Sequence, residues 1–159
     1  MRREVGNDAA RFFYVLRKSD QHLDFDLDLA KSQTSDNPVY YIQYAHARIC
    51  SVLAQWGGDP ALLADTDFTP LTNAYEIDLL HRLAEYPGVV DMAARELAPH
   101  AIAYALKEIA GALHAYYNAE QFLVEDKTIR HARLALITAT RHALRHGLAL
   151  LGVNCPDKM

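Results

Sequence analysis

The stretch NPVYYIQYAHARICSVLAQW at residues 37–56 places its core-type and polar positions with the period of an α-helix. The core-type positions are separated by intervals of three and four residues, which puts them on one side of a helix at about 100° per residue. Pro38 follows Asp36–Asn37, as a first helical residue often follows a capping residue. We therefore predict a helix over 38–56 that packs into a core through one seam: Val39, Ile42, His46, Ile49, Leu53 and Trp56.

Similar periodicity covers most of the remaining chain, and no segment has the sustained alternation of a strand. Further helices are predicted in four segments: 7–19, 72–86, 89–123 and 127–152. Pro87–Gly88 is predicted to end the second of these, and Pro99 to interrupt or restart the third. The predicted fold class is all-α, a helical bundle with an N-terminal arm.

Tyr41, Tyr44 and Arg48 lie away from the seam of the 38–56 helix, separated from it by roughly 140° in helical-wheel arithmetic. Base–aromatic stacking contributes about 1–3 kcal/mol per base, and an arginine side chain can stack on a base or hold a phosphate. This face suits an opened-out, single-stranded RNA loop, with a base entering between the three side chains. The alternative is that the helix is covered on both sides and the tyrosines are core residues.

Tyr116 and Tyr117 form a second aromatic pair, near the end of the IAGALHAYYNAEQF segment. Adjacent residues of a helix point about 100° apart, so at most one of the two faces a given surface well. We expect one of these tyrosines to be a core residue and the other to lie at the rim.

Charge is distributed unevenly along the chain. Residues 127–159 carry a net charge of +5 and residues 1–126 carry −9, which gives −4 overall. The predicted C-terminal helix is therefore a basic element on an acidic body. From charge alone, an alternative is a solvated face that balances acidic neighbours. The candidates for contacts with RNA phosphates are four arginines: Arg130, Arg133, Arg141 and Arg145.

Several other functional classes leave no signature in the sequence. No apolar run is long enough to cross a bilayer, and the isolated Cys50 and Cys155 favour a reducing, cytoplasmic location. Asp24, Asp26 and Asp28 lack the glycine and the trailing glutamate of an EF-hand. Nucleophile motifs and phosphate-binding glycine loops are missing. We therefore predict no catalytic, cofactor-binding or metal-ligating residue.

Two long stretches resemble the C-terminal part of bacterial arginyl-tRNA synthetase, a class I aminoacyl-tRNA synthetase. The first is EVGNDAARFFYVLRKSDQHLDFDLDLAKSQTSDNPVYYIQYAHARICSVL at 4–53, within which YIQYAHARI at 41–49 is especially specific. The second is RHALRHGLALLGVNCPDKM at 141–159, which is similar to the family's terminal helix and its PERM-like ending. HALR at 142–145 resembles the DALR signature of this domain type, with His where Asp is usual.

The resemblance implies a connector at 1–35 from the end of the catalytic domain, followed by an anticodon-binding helical bundle at 36–159. It implies that the 38–56 helix contributes to the surface that receives the anticodon loop. The base read there is implied to be the middle cytosine that arginine-accepting anticodons share. The positions implied to contact tRNA are Tyr41, Tyr44, Arg48, Tyr117 and Met159.

The family's HIGH-type and KMSK-type signatures for ATP handling do not occur in this chain. In the family both lie N-terminal to the matching segment, so we expect a fragment that recognises tRNA(Arg) and catalyses nothing alone. The intact enzyme is implied to attach arginine to tRNA with ATP and Mg²⁺, with its catalytic domain as a further partner of this segment and no role for DNA or membranes. Two alternatives remain open: the anticodon bundle of a neighbouring class I synthetase, and a helical protein-interaction module that uses the Tyr41, Tyr44 and Arg48 face.

Overall fold

The computed structural model describes residues 5–17 and 25–159, and the regular structure in these ranges is helical throughout. Its elements are α1 (Asn7–Val15), α2 (Leu27–Lys31), α3 (Pro38–Trp56), a 3₁₀ helix (Pro60–Leu63), α4 (Ala74–Arg95), α5 (Pro99–Ala119) and α6 (Lys127–Leu150). The all-α prediction is confirmed. The end of the predicted 7–19 helix and Asp24 lie outside the described residues. Among the described helices, none is both long and apolar enough to cross a membrane.

The core lies where α3, α5 and α6 pack against one another, with α4 lying along α5. The predicted seam of α3 supplies part of it: Ile42 and Ile49 are at most 1% exposed. Each such fully buried side chain stabilises the fold by about 1.5–3 kcal/mol relative to an exposed one. Phe12 of α1 is completely buried in the same cluster. The described part of the N-terminal arm therefore packs onto the bundle.

Local signals set the start of α4 and the end of α6. Asn73 and Glu76 form a reciprocal capping box, in which the Asn73 backbone N–H donates to Glu76 Oε2 at 3.0 Å. At the other end, Gly152 follows α6 with φ of 68°, which glycine adopts without steric cost. The Val153 N–H then donates to the Leu148 carbonyl at 2.9 Å, closing a Schellman turn that directs the C-terminal tail back over the bundle.

The predicted break at Pro87–Gly88 is wrong, because α4 continues through both residues. A proline inside a helix removes one hydrogen bond and costs about 3 kcal/mol. Here the helix is buried on both sides of the proline, through Leu79 and Tyr86 before it and Ala93 after it. This packing, mainly against α5, offsets the local cost. Pro99 does begin a new helix, as predicted, at the first position of α5.

Candidate nucleic-acid interface

The tyrosine-bearing side of α3 borders an open groove. Tyr44 is 37% exposed, whereas Tyr41 and Arg48 are half-buried. The groove has a volume of about 440 Å³. We call it the tyrosine groove; it is lined by Gln33, Ser35, Tyr40, Tyr41, Tyr44, Arg48, His114 and Asn118. Tyr44 is therefore a surface residue, while the Tyr41 ring packs against the edge of the core.

The Arg48 guanidinium lies against two tyrosine rings. Its Cζ is 4.9 Å from the centroid of the Tyr44 ring on α3 and 4.4 Å from the centroid of the Tyr117 ring on α5. Cation–π contacts at exposed sites contribute about 0.5–1 kcal/mol each. Arg48 thus fills the space between the Tyr44 and Tyr117 rings, where no base can enter. A base bound in the tyrosine groove would instead stack on the solvent-facing part of these rings.

Tyr40 extends this arrangement and was not among the predicted site residues. Its ring is nearly parallel to that of Tyr44, with 6.0 Å between centroids and 10° between planes. Tyr40, Tyr44 and Arg48 are separated by four residues each, and such positions are neighbours on a helix surface. That spacing is the signal by which the sequence could have revealed Tyr40.

His114 is the second residue that sequence reasoning missed. It is buried, its Nε2–H donates to the Tyr41 carbonyl at 3.1 Å, and its Nδ1 accepts from Arg48 Nη1 at 3.2 Å. These partners require the neutral imidazole with its proton on Nε2. Burial lowers the pKa of His114, and the Arg48 charge lowers it further, against the opposing effect of the Tyr41 carbonyl. His114 precedes Tyr117 by three residues, so its helical spacing was the available signal.

The adjacent tyrosines of α5 have different environments. Tyr116 is completely buried, and its hydroxyl donates to Glu76 Oε1 at 3.0 Å. This burial, together with the nearby Glu76 carboxylate, raises the pKa of Tyr116 far above its ordinary value. Tyr117 is half-buried and contacts Arg48. The expectation of one core and one rim tyrosine is confirmed, with Tyr117 at the rim.

Met159 lies beside the tyrosine groove. It is 52% exposed and lines a neighbouring cavity of about 430 Å³. Gln33 and Tyr40 line both cavities. The structure therefore brings four of the predicted contact residues together in direct contact around Arg48 and His114, and places the end of the chain next to them.

Arg133 is held by carboxylates in the interior of the bundle. Its Nε is 2.9 Å from Glu76 Oε1 and its Nη2 is 3.0 Å from Glu120 Oε2, while its side chain is only 12% exposed. Its Nη1 also donates to the Gln121 carbonyl at 2.6 Å. Arg133 thus has two intramolecular ion pairs, and the predicted phosphate contact would require both of them to break.

The other three candidate arginines make weaker contacts within the protein. Arg130 donates to the Val124 carbonyl at 2.9 Å, which pins the loop before α6. Arg141 is half-buried beside Cys50, and Arg145 is exposed at a cavity that the C-terminal tail also lines. Arg141 and Arg145 therefore lie at the tail side of α6.

His46, Cys50 and Asp157 form a cluster whose nitrogen, sulfur and oxygen atoms lie within 4.8 Å of one another. Each has a hydrogen-bond partner: His46 Nδ1 lies 3.0 Å from the Pro156 carbonyl, and the Cys50 thiol donates to Asp157 Oδ1 at 3.6 Å. Burial raises the pKa of Cys50, and the Asp157 carboxylate adds to this effect against the opposing charge of Arg141. The cluster therefore joins the tail to α3, and His46 lies in the core, as its seam position predicted.

Residues 42–159 match the model of the family described as the DALR anticodon binding domain. The chain belongs to this family. Tyr44, Arg48, Tyr117 and Met159 lie inside the matched residues, and Tyr41 lies one residue before them. The family suggested by the HALR and YIQYAHARI stretches is therefore confirmed.

The names of similar proteins are consistent with the family match. The chain is 64% identical to the arginine–tRNA ligase of Nitrosospira multiformis and 63% identical to that of Dechloromonas aromatica, each over 159 residues. The solved structure of Thermus thermophilus arginyl-tRNA synthetase is 32% identical and superposes with a TM-score of 0.84, over 99% of this chain and 27% of that chain. Each of the two curated relatives is likewise covered over 27% of its length. The chain therefore spans about a quarter of the proteins it matches.

Proposed function

We propose that this chain binds the anticodon loop of an arginine tRNA in the tyrosine groove. The observation that carries the proposal is the half-exposed stack of Tyr44, Arg48 and Tyr117 at that groove, in a chain of the DALR family whose relatives are named arginine–tRNA ligases. Aromatic rings beside a guanidinium suit the binding of unstacked bases and their phosphates.

The aromatic side chains supply the stacking surface. Among the three predicted tyrosines, Tyr44 has the most exposed ring. The Tyr40 ring lies parallel to it. Stacking of one base on such a ring contributes about 1–3 kcal/mol. The amide of Asn118 and the hydroxyl of Ser35 lie in the same groove lining and offer donors and acceptors to a base edge. We infer that the base read there is the middle cytosine of the anticodon.

Charge supplies the part of the affinity that does not depend on sequence. Arg48 has neutral partners, two rings and a neutral imidazole, so its charge remains available to a phosphate. The proposed contacts for the phosphates of the anticodon stem are Arg141 and Arg145, together with Arg130 near the N-terminal end of α6. Each phosphate contact with the single-stranded anticodon loop, such as one made by Arg48, adds about −0.7 to the slope of log affinity against log salt.

We further propose that the chain acts as part of an arginine–tRNA ligase in the cytoplasm. Residues 1–35 would connect the bundle at 36–159 to a catalytic domain. The attachment of arginine to tRNA, with ATP and Mg²⁺, would be carried out by that catalytic domain. The residues of this chain would recognise the tRNA and contribute no chemistry.

The test is a titration of the chain with a labelled arginine anticodon stem-loop, followed by fluorescence anisotropy. We expect replacement of the middle cytosine to weaken binding by about tenfold, equivalent to about 1.4 kcal/mol. Equal affinity for both stem-loops would refute base reading in the groove. Affinity should also fall steeply with salt, whereas an affinity insensitive to salt would favour the alternative, a protein-interaction module that uses the same face.

A further inference from the structure

Three polar side chains of α3 donate hydrogen bonds to successive parts of the C-terminal tail. Gln43 Nε2 donates to the Asn154 carbonyl at 2.9 Å, His46 Nδ1 donates to the Pro156 carbonyl at 3.0 Å, and the Cys50 thiol donates to Asp157 at 3.6 Å. Their intervals of three and four residues place the donors along one face of the helix. We call Gln43, His46 and Cys50 the tail clasp.

The tail clasp is mostly buried. Gln43 is 9% exposed and His46 is 0% exposed, in a helix whose neighbouring positions are apolar core. A buried polar group that loses its partner is costly, because water does not replace the lost hydrogen bond. The tail carbonyls therefore accept hydrogen bonds from both Gln43 and His46, and another path for the tail would lose both of these bonds.

Asp8 of α1 provides a second attachment for the same stretch of tail. Its Oδ1 accepts from the Asn154 backbone N–H at 3.2 Å and from Asn154 Nδ2 at 3.1 Å. Its Oδ2 accepts from Gln43 Nε2 at 3.3 Å. Gln43 thus bonds both the tail and the carboxylate that holds the tail, so it is the centre of the attachment.

The path of the tail ends at Met159, in the cavity that shares Gln33 and Tyr40 with the tyrosine groove. Gln43 also lines that cavity. We propose that Gln43 and His46 are positioning residues, which hold the tail so that Met159 forms part of the RNA-binding surface beside Tyr40. This inference rests on the proposed function and names residues that act without touching the RNA.

The substitution that tests the inference is Gln43→Leu, which keeps a side chain of similar size and removes the amide. Its matched control is Gln55→Leu, the same change at an exposed position of the same helix. The chain has three methionines, Met1, Met92 and Met159, so methyl-labelled methionine gives a simple NMR spectrum. Deletion of Met159 assigns its signal and serves as the reference for complete loss of its contribution.

In Gln43→Leu we expect the Met159 methyl signal to sharpen and move to the position of an unstructured methionine. RNA affinity should fall by about tenfold, as for loss of one well-placed contact. Combining Gln43→Leu with the Met159 deletion should weaken binding no further than the deletion alone, since both changes remove one interaction. Gln55→Leu should change neither measurement.

Three results would overturn the inference. An unchanged Met159 signal in Gln43→Leu would show that the clasp does not position the tail. A released Met159 with unchanged affinity would show that its position is irrelevant to RNA, while leaving the proposed function intact. Additive losses in the double variant would show that Gln43 acts by another route. If the wild-type chain binds no stem-loop, the proposed function fails, and with it the role of Met159 in RNA binding.

Discussion

Arg48 contacts Tyr117 near the end of α5 and Arg133 contacts Glu120 just after it, but the two arginines lie in opposite electrostatic environments. Arg133 is paired with Glu76 and Glu120, and Glu76 is only 2% exposed. Arg48 instead contacts two tyrosine rings and the neutral His114, and within the described residues it has no carboxylate within ion-pair distance. The charge of Arg133 is neutralised inside the protein, whereas that of Arg48 is not.

Whether an arginine is paired with a carboxylate predicts its role, in stability or in RNA recognition, better than its position in the sequence does. An arginine whose charge is already neutralised by buried carboxylates gains little from a phosphate, because the existing pairs must break first. An arginine held by rings and an imidazole is oriented but keeps its net charge. We therefore expect Arg133 to determine stability and Arg48 to determine RNA affinity.

The largest expected effect is on stability, in Arg133→Met. The substitution leaves the buried Glu76 carboxylate and Glu120 without their cation, and breaking a buried pair in this way costs about 3–5 kcal/mol. The midpoint of thermal unfolding, followed by circular dichroism, should fall by roughly 10 °C. The matched control is Arg48→Met, which removes two cation–π contacts and is expected to cost only about 1–2 kcal/mol. If wild type and Arg133→Met had the same midpoint of thermal unfolding, the proposed difference in role between Arg133 and Arg48 would be refuted.

Arg48→Met is the complementary variant for RNA binding. Hydrogen bonds to charged groups contribute about 1.5–3 kcal/mol, so affinity for the anticodon stem-loop should fall by roughly tenfold to a hundredfold. The slope of log affinity against log salt should also become shallower, since one phosphate contact is lost. A weaker affinity with the original salt slope would assign Arg48 to stacking alone.

Tyr44→Ala tests the stacking surface in the same way. Loss of one base–aromatic stack should weaken binding by about 1–3 kcal/mol, while the thermal melt remains cooperative and close to that of wild type. Tyr116→Phe is the contrasting variant, because it removes only the buried hydroxyl that donates to Glu76. It should lower stability by about 1 kcal/mol and leave RNA affinity unchanged. A large loss of stability in Tyr44→Ala would place that ring in the core.

The smallest expected effect is the dependence of stability on pH. The pKa of His114 is lowered from 6.5 in the folded protein, mainly by burial, and that of His46 is lowered for the same reason. Above pH 6.5 both histidines are neutral in the folded and unfolded states. As the pH falls below 6.5, the unfolded chain takes up protons first, so the free energy of unfolding decreases.

His114→Gln should make this decrease shallower without abolishing it, because His46 still contributes. The measurement is denaturant unfolding at a series of pH values between about 5 and 8. The same substitution at the exposed His142 serves as the control. An unchanged slope in His114→Gln would mean that the pKa of His114 is the same in the folded and unfolded chains, in conflict with its burial beside Arg48.

Local signals made α3 predictable to within its observed limits. Asn37 and Pro38 begin the helix, and Gly57 ends it in the left-handed conformation with φ of 65°. These capping signals agree with the seam pattern, so local and tertiary preferences favour the same limits. At Pro87 they disagree, because the backbone preference for a break is outweighed by burial of α4 against α5. Such a case cannot be decided from local sequence, since the compensating contacts lie in another element.

The same limit applies to the candidate site. Helical spacing identified Tyr41, Tyr44 and Arg48 as one face, and family resemblance added Tyr117 and Met159. Spacing could not distinguish Arg133 from the other arginines of the basic helix, because its partner Glu76 is distant in sequence. Nor could it place the buried His114 beside Arg48, since this contact exists only after α3 and α5 have packed.

The order of the amino acids alone specifies the helical class, the family, the limits of α3 and the aromatic face that α3 carries. Those features follow from periodicity, capping and short motifs, which act through residues close together in the chain. Packing between helices is what places Arg48 between two rings, neutralises Arg133, and holds the tail through Gln43 and His46. Each of these depends on which groups meet across separate helices, and burial then decides whether a polar group must keep the partner it meets.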